Sequence, residues 1–132
     1  MADGMKLKVV TTTGGFYDGE VSMVELTTTE GEIGIYPNHI PLTAVVAPGV
    51  LKIHEDGGEK EAALMSGFIT ILPEQVTVMA EVVEWPDEID FARAEEARSR
   101  AERRLSSGEA NLDVARAEAA LKRAMVRLNL KH

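Results

Sequence analysis

The chain has 132 residues, 45% of them hydrophobic, with no cysteine and a formal net charge of −8 at pH 7. That length suits one domain or a compact domain with an appendage, and the missing cysteines exclude a disulfide framework and thiolate chemistry. The acidic balance argues against a nucleic-acid partner, and with no long apolar run and no signal peptide a soluble, cytosolic protein is the expectation.

The first 84 residues read as β structure throughout. Alternating stretches at Met5–Val10, Val21–Leu26, Val50–Ile53, Ala62–Met65, Phe68–Leu72 and Val76–Val83 predict strands. Turn residues separate them at Gly14-Gly15, Glu30-Gly31, Pro48-Gly49, Asp56-Gly57-Gly58 and Pro73-Glu74. Asp56-Gly57-Gly58-Glu59, between two alternating runs, predicts a hairpin. Short strands at this spacing favour a sandwich or a small barrel.

Trp85-Pro86 marks a junction, because Pro86 biases Trp85 away from helix and ends strand pairing. Charge changes there too. Residues 1–84 hold 4 Lys, no Arg and 13 Asp or Glu; residues 85–132 hold 8 Arg, 2 Lys and 9 Asp or Glu. Alanine, glutamate and arginine beyond the junction predict two helices. Asp87 is the expected N-cap of the first, with Asp90 as capping-box partner, and the helix runs to about Leu105. Ser106-Ser107-Gly108 breaks it, and a second helix is expected over roughly Leu112 to Leu128 with Asn111 as cap. The apolar stripes are alanine-rich: Ala94, Ala97, Ala101 and Leu105 on one helix, Ala117, Leu121, Ala124 and Leu128 on the other. So short a connection predicts an antiparallel αα-hairpin. Alanine seams bury little area, so at ~25 cal/mol per Å² the two helices are weakly held together.

Known catalytic spacings are missing. Neither Gly14-Gly15 nor Gly57-Gly58 leads into a phosphate-loop Gly-Lys, there is no HExxH, and His39, His54 and His132 fall among unlike elements. Ser66 lacks the flanking glycines of a nucleophile elbow. The arginines are more informative. In an antiparallel hairpin Ile89 faces Arg127, Arg93 faces Arg123, and Arg100 faces Arg116. Asp90, Arg93, Ala97 and Arg100 share one face of the first helix; Arg116, Ala120, Arg123 and Arg127 share one face of the second. Guanidinium groups that outnumber their carboxylates suit a polyphosphate held by bidentate bonds. The competing reading is a solvated Glu/Arg surface whose charges pair locally along each helix.

Three segments resemble a known family. Gly31-Glu32-Ile33-Gly34-Ile35-Tyr36-Pro37-Asn38-His39-Ile40-Pro41-Leu42 is similar to the signature of the epsilon subunit of F-type ATP synthases. Ile89-Asp90-Phe91-Ala92-Arg93-Ala94 resembles that family's I/L-D-x-x-R-A motif, associated with ATP binding in bacterial members. Leu121-Lys122-Arg123-Ala124-Met125-Val126-Arg127-Leu128 resembles the second helix of the ATP-binding kind. The likeness runs from about Met5 to the C-terminus, with Met1 to Gly4 preceding the usual start of family chains.

The resemblance implies a β + α fold: an N-terminal β-sandwich over residues 1–84 and a C-terminal antiparallel two-helix hairpin over 85–132. It implies a non-catalytic central-stalk (rotor) subunit bridging the gamma subunit and the membrane rotor ring. Such a subunit sits at the cytoplasmic face of the cell membrane, peripheral to it and attached only through the complex. It also implies inhibition, in which the helices extend into the alpha/beta catalytic head and block ATP hydrolysis; bound ATP favours the folded hairpin. Carried over by position, the ATP contacts are Glu84, Ile89, Asp90, Arg93, Ala94, Arg100, Arg123 and Arg127. No metal or other cofactor is required, and ATP is the regulatory ligand. Glu32 and His39 match positions facing the rotor ring. One departure is visible: Met65-Ser66-Gly67-Phe68 stands where the family commonly has Ser-Gly-Gly-Phe, so a Ser replaces the first glycine.

Two rivals remain. A rotor-coupling subunit whose hairpin is only structural predicts that ATP leaves the hairpin's thermal stability unchanged. A small nucleotide-processing enzyme needs a metal-held water or a general base beside the phosphates, and the helical segment offers no paired carboxylate face.

Overall fold

The computed structural model describes residues 4–131; the start of the Met1–Gly4 extension and His132 lie outside the described residues. The chain divides after Trp85 into two compact units, a β-sandwich and a pair of helices.

Among the described residues eight strands build the first unit: β1 (Met5–Thr11), β2 (Gly14–Val21), β3 (Met23–Thr28), β4 (Gly31–Ile35), β5 (Leu42–Val46), β6 (Gly49–Glu55), β7 (Gly58–Ile71) and β8 (Gln75–Glu84). Hydrogen bonding runs β2-β1-β8-β7-β5-β3-β4, with β6 pairing to β3 and β7. All pairs are antiparallel except β1 with β8. Strand alternation supplies the core, because successive side chains point to opposite faces. Leu7 and Val9 of β1, Leu51 and Ile53 of β6, and Val76 and Val78 of β8 are fully buried, each pair separated by one outward residue.

Three departures from the sequence expectations share one cause, the local signal of glycine. Gly14-Gly15 begins β2 instead of turning, and the reversal sits at Thr12-Thr13. Gly31, read as the second residue of a turn, likewise opens β4. Ala62–Met65 and the expected Phe68–Leu72 strand, which ends at Ile71, belong to a single 14-residue strand, β7. That strand pairs with β6 through Leu64 and with β5 from Gly67 onward, and its ladder to β8 is irregular at Ser66 and Gly67. Gly67 has φ +146, and a Cβ there would collide with the Met79 carbonyl oxygen. Ser66 is not among the positive-φ residues, so the glycine requirement falls on position 67 and the Ser-for-Gly departure is accommodated without strain. The Asp56-Gly57 hairpin turn is present, with Glu55 opposite Gly58 and Gly57 at φ +87.

At the end of the sandwich Phe16 stacks on Trp85, with ring centroids 4.4 Å apart, and Tyr17 meets Trp85 edge-on. The Tyr17 hydroxyl donates to Glu55 Oε2 at 2.5 Å. Burial and that carboxylate together push the phenol's pKa well above its ordinary range.

A short 3₁₀ turn (Pro86–Glu88) leads into α1 (Phe91–Ser106), and α2 (Val114–Asn129) follows. The N-caps are Asp90 and Asp113, not Asp87 and Asn111. Pro86 explains the first shift: its fixed φ suits the opening of the 3₁₀ turn that Asp87 occupies, so the cap falls three residues later. For the second, Asp113 lies immediately ahead of the first helical residue and its carboxylate accepts from an orphan N–H. Ser107 closes α1, and Gly108 takes φ +70 just beyond it. Among the described residues no helix is long and apolar enough to cross a membrane.

Candidate functional site

The two helices pack on each other, and apart from Val126 their buried side chains are alanines. Ala94 and Ala101 of α1 and Ala117 and Ala124 of α2 are buried, whereas Ala97, Leu105, Leu121 and Leu128 are half-buried. At roughly 0.8 kcal/mol per buried methyl, the four fully buried alanines contribute about 3 kcal/mol, little for two four-turn helices. Small side chains also leave room. A cleft of about 240 Å³ opens along the seam, walled by alanines and lined by Arg100, Arg104, Arg116 and Arg123. None of these four makes an ion pair among the described residues. Four guanidinium groups around an alanine-walled cleft, without carboxylates, form an electropositive concavity whose planar forks match phosphate oxygens.

The local-pairing alternative accounts for a different arginine. Arg98 is clamped by Glu95 and, at 2.8 Å, by Glu102. That contact holds the Glu95 carboxyl below its ordinary range and raises the Arg98 guanidinium. The Glu/Arg surface and the bare arginine cleft therefore coexist on the hairpin.

Of the expected contacts, Arg100 and Arg123 line the cleft together. Asp90 and Arg93 are joined by the cap: the Arg93 backbone N–H donates to Asp90 Oδ1 at 3.0 Å, leaving the Arg93 side chain exposed. Ile89 and Ala94 are buried, so they offer a ligand backbone and packing surface only. Arg127 lies in the last turn of α2 and is half-buried. Glu84 ends β8 in the other unit, opposite Ala63 in the ladder. Arg104 and Arg116, absent from the expected contact set, are the additions. The signal that finds them is an internal repeat: Leu112-Asp113-Val114-Ala115-Arg116-Ala117 matches I/L-D-x-x-R-A as fully as Ile89–Ala94 does.

In the signature segment, Tyr36 to Pro41 form the loop between β4 and β5. Asn38 takes the left-handed conformation, φ 67, which asparagine tolerates, and its N–H donates to the Pro73 carbonyl at 2.9 Å. Tyr36 and Ile40 on either side of it are 59% and 79% exposed. His39 is partly exposed, with Nδ1 2.6 Å from the Ile40 carbonyl, and Glu32 is exposed on β4. The loop presents polar and apolar groups together, a composition suited to a protein surface.

Comparison with known proteins gives consistent results. Residues 4–86 match the family described as ATP synthase, Delta/Epsilon chain, beta-sandwich domain, and residues 87–131 match its long alpha-helix domain. The ATP synthase epsilon chain of Caldanaerobacter subterraneus is 45% identical over 94% of this chain and 91% of its own. That of Shouchella clausii is 41% identical over 97% and 96%, and that of Clostridium novyi 43% over 98% and 99%. A chain in the Euglena gracilis mitochondrial ATP synthase OSCP/F1/c-ring structure shares the fold, with TM-score 0.82 at 20% identity over 96% of this chain and 79% of that one.

Proposed function

The chain belongs to the ATP synthase delta/epsilon family as an epsilon subunit, a non-catalytic part of the central stalk, and from that premise we propose that it is a nucleotide-sensing regulator of the complex. In this reading the sandwich couples the gamma subunit to the membrane rotor ring, with Glu32 and His39 toward the ring, at the cytoplasmic face of the cell membrane. The hairpin binds ATP through Arg93, Arg100, Arg123 and Arg127, with Asp90 beside them and Glu84, Ile89 and Ala94 as further contacts.

The observation that supports this best is the seam itself: Arg100 and Arg123, which make no ion pair among the described residues, face each other's helix along an alanine-rich contact. Like charges brought close across a weak seam favour separation of the helices, and a triphosphate between them reverses the sign of that term. ATP therefore stabilises the closed hairpin. Without it the cationic helices separate and engage acidic surface on the alpha/beta catalytic head, blocking hydrolysis. A ligand shifts such an equilibrium only by its differential affinity; moving a population from 1:99 to 99:1 takes about 5.5 kcal/mol.

Calorimetry of the full chain with ATP tests the first step. Saturable binding that raises the hairpin's melting temperature, and that Arg93→Ala with Arg127→Ala weakens, supports the sensor. Absence of binding at millimolar ATP leaves a subunit whose hairpin is structural, and turnover of ATP by the isolated chain would make it an enzyme instead.

A further inference from the structure

The two helices are copies of one another. Residues 89–106 and 112–129 align without a gap at an offset of 23, sharing Asp, Ala, Arg, Ala and Glu in the first turns and Arg, Ala, Arg and Leu later. The structure repeats the same correspondence. Both helices have 16 residues. Asp90 and Asp113 each accept from the backbone N–H three residues on, both at 3.0 Å. Buried Ala94 and Ala101 correspond to buried Ala117 and Ala124. The C-cap N–H groups of Ser107 and Leu130 donate to Arg104 and Arg127, which also correspond.

In an antiparallel pair, such a repeat generates an approximate two-fold axis perpendicular to the plane of the hairpin. The axis exchanges the helices and keeps each feature on the same face. Under it Arg93, Arg100, Arg123 and Arg127 map onto Arg116, Arg123, Arg100 and Arg104. Those are the four arginines that line the 240 Å³ cleft. The set assigned to ATP toward the chain termini thus has a counterpart toward the Ser107-Gly108 turn, with Arg100 and Arg123 common to both.

We propose that this turn-proximal cleft is a second anion site, specific for an oligophosphate gripped by Arg104 and Arg116 together with the shared Arg100 and Arg123. The site is not built from a helix end alone. It has an alanine-walled concavity, four forked donors and, among the described residues, no ion pair to compete with a ligand. It can be occupied when no nucleotide sits at the other end, and because Arg100 and Arg123 serve both sets the two ligands compete. The source of the phosphates is either a nucleotide tail or a free inorganic oligophosphate, and the two are separated by experiment.

The test is a titration of the isotopically labelled full chain with pyrophosphate at low ionic strength, followed by amide NMR, and in parallel with ATP. Pyrophosphate is expected to shift the Arg104 and Arg116 amides saturably. Arg104→Gln with Arg116→Gln should weaken that response about 100-fold, as expected for two lost charge-assisted partners, while Arg93→Gln with Arg127→Gln leaves it in place. If the Gln variant loses helicity, Arg104→Lys with Arg116→Lys keeps the charge and should still weaken binding several-fold, because the fork is lost. Saturation of the same amides by ATP in the Arg93→Gln with Arg127→Gln variant, where the terminal set is weakened, identifies the ligand as a nucleotide; saturation by pyrophosphate alone identifies a free oligophosphate. A response that never saturates, or one unchanged by either Arg104/Arg116 variant, overturns the second site. Pyrophosphate binding here without ATP binding anywhere overturns the sensor function and leaves this site standing.

Discussion

The duplicated caps provide a stringent internal control. Asp90 and Asp113 hold the same position on two helices of equal length and make the same 3.0 Å bond to an orphan N–H, those of Arg93 and Arg116. Replacing such a cap by alanine costs about 1 kcal/mol. The four buried alanine methyls contribute about 3 kcal/mol, and buried Val126 with half-buried Leu105, Leu121 and Leu128 adds to that, so the loss of a cap is a measurable fraction of what keeps the hairpin closed. Asp90→Ala and Asp113→Ala should each speed amide exchange at their own first turn by about fivefold, the equivalent of that free energy. The two effects should agree within a factor of about two. Asp90→Ser restores the cap and the protection but removes the carboxylate. If Asp90 also touches ATP, Asp90→Ser weakens nucleotide binding while exchange at Arg93 stays slow, and Asp113→Ser leaves ATP affinity unaltered. Unchanged exchange at Arg93 in Asp90→Ala would refute the cap reasoning outright.

Further tests concern the sandwich. Gly67→Ala should destabilise it by about 2–4 kcal/mol in urea unfolding, since the new Cβ meets the Met79 carbonyl at φ +146. Ser66→Gly, one residue earlier at an ordinary φ, should cost about 1 kcal/mol or less. The folded-state pKa of Tyr17 is raised, so its contribution is complete below the unfolded phenol pKa of ~10 and is lost as pH rises from there through the folded-state value. Ultraviolet titration should show Tyr17 ionising later than an ordinary phenol, and Glu55→Gln should move it down toward the usual value. In the hairpin, Glu102→Gln should slacken the grip on Arg98 with no effect on ATP affinity, because that pair lies apart from the cleft-lining arginines.

Much of this architecture is legible in the sequence, and the misreadings have identifiable causes. Strands with strict alternation, such as Met5–Thr11 and Gln75–Glu84, announce themselves because one face must be buried. β2 does not, because Gly14, Gly15 and Gly19 remove the side chains that would alternate, and pairing along β1 decides its conformation. β7 reads as two strands because Ser66-Gly67 resembles punctuation; in the fold the same residues are an irregularity inside one strand, set by the close approach of β8. The helix caps shift because Asp87, Asp90, Asn111 and Asp113 all qualify chemically, and only the 3₁₀ turn after Pro86 and the final loop geometry select among them. For the site, the arginine faces follow from helical periodicity, but the cleft does not. Arg104 enters it only when the second helix is placed alongside, and the 23-residue repeat predicts that placement once the two halves of the hairpin are aligned.

The central claim is that nucleotide binding closes the hairpin, and amide exchange of the full chain with and without millimolar ATP measures it most directly. The account predicts that ATP slows exchange along both helices, at the buried Ala94, Ala101, Ala117 and Ala124 in particular, while leaving the sandwich core around Leu7, Leu51 and Ile69 as it was. Exchange in α1 and α2 that is the same with and without ATP would contradict it.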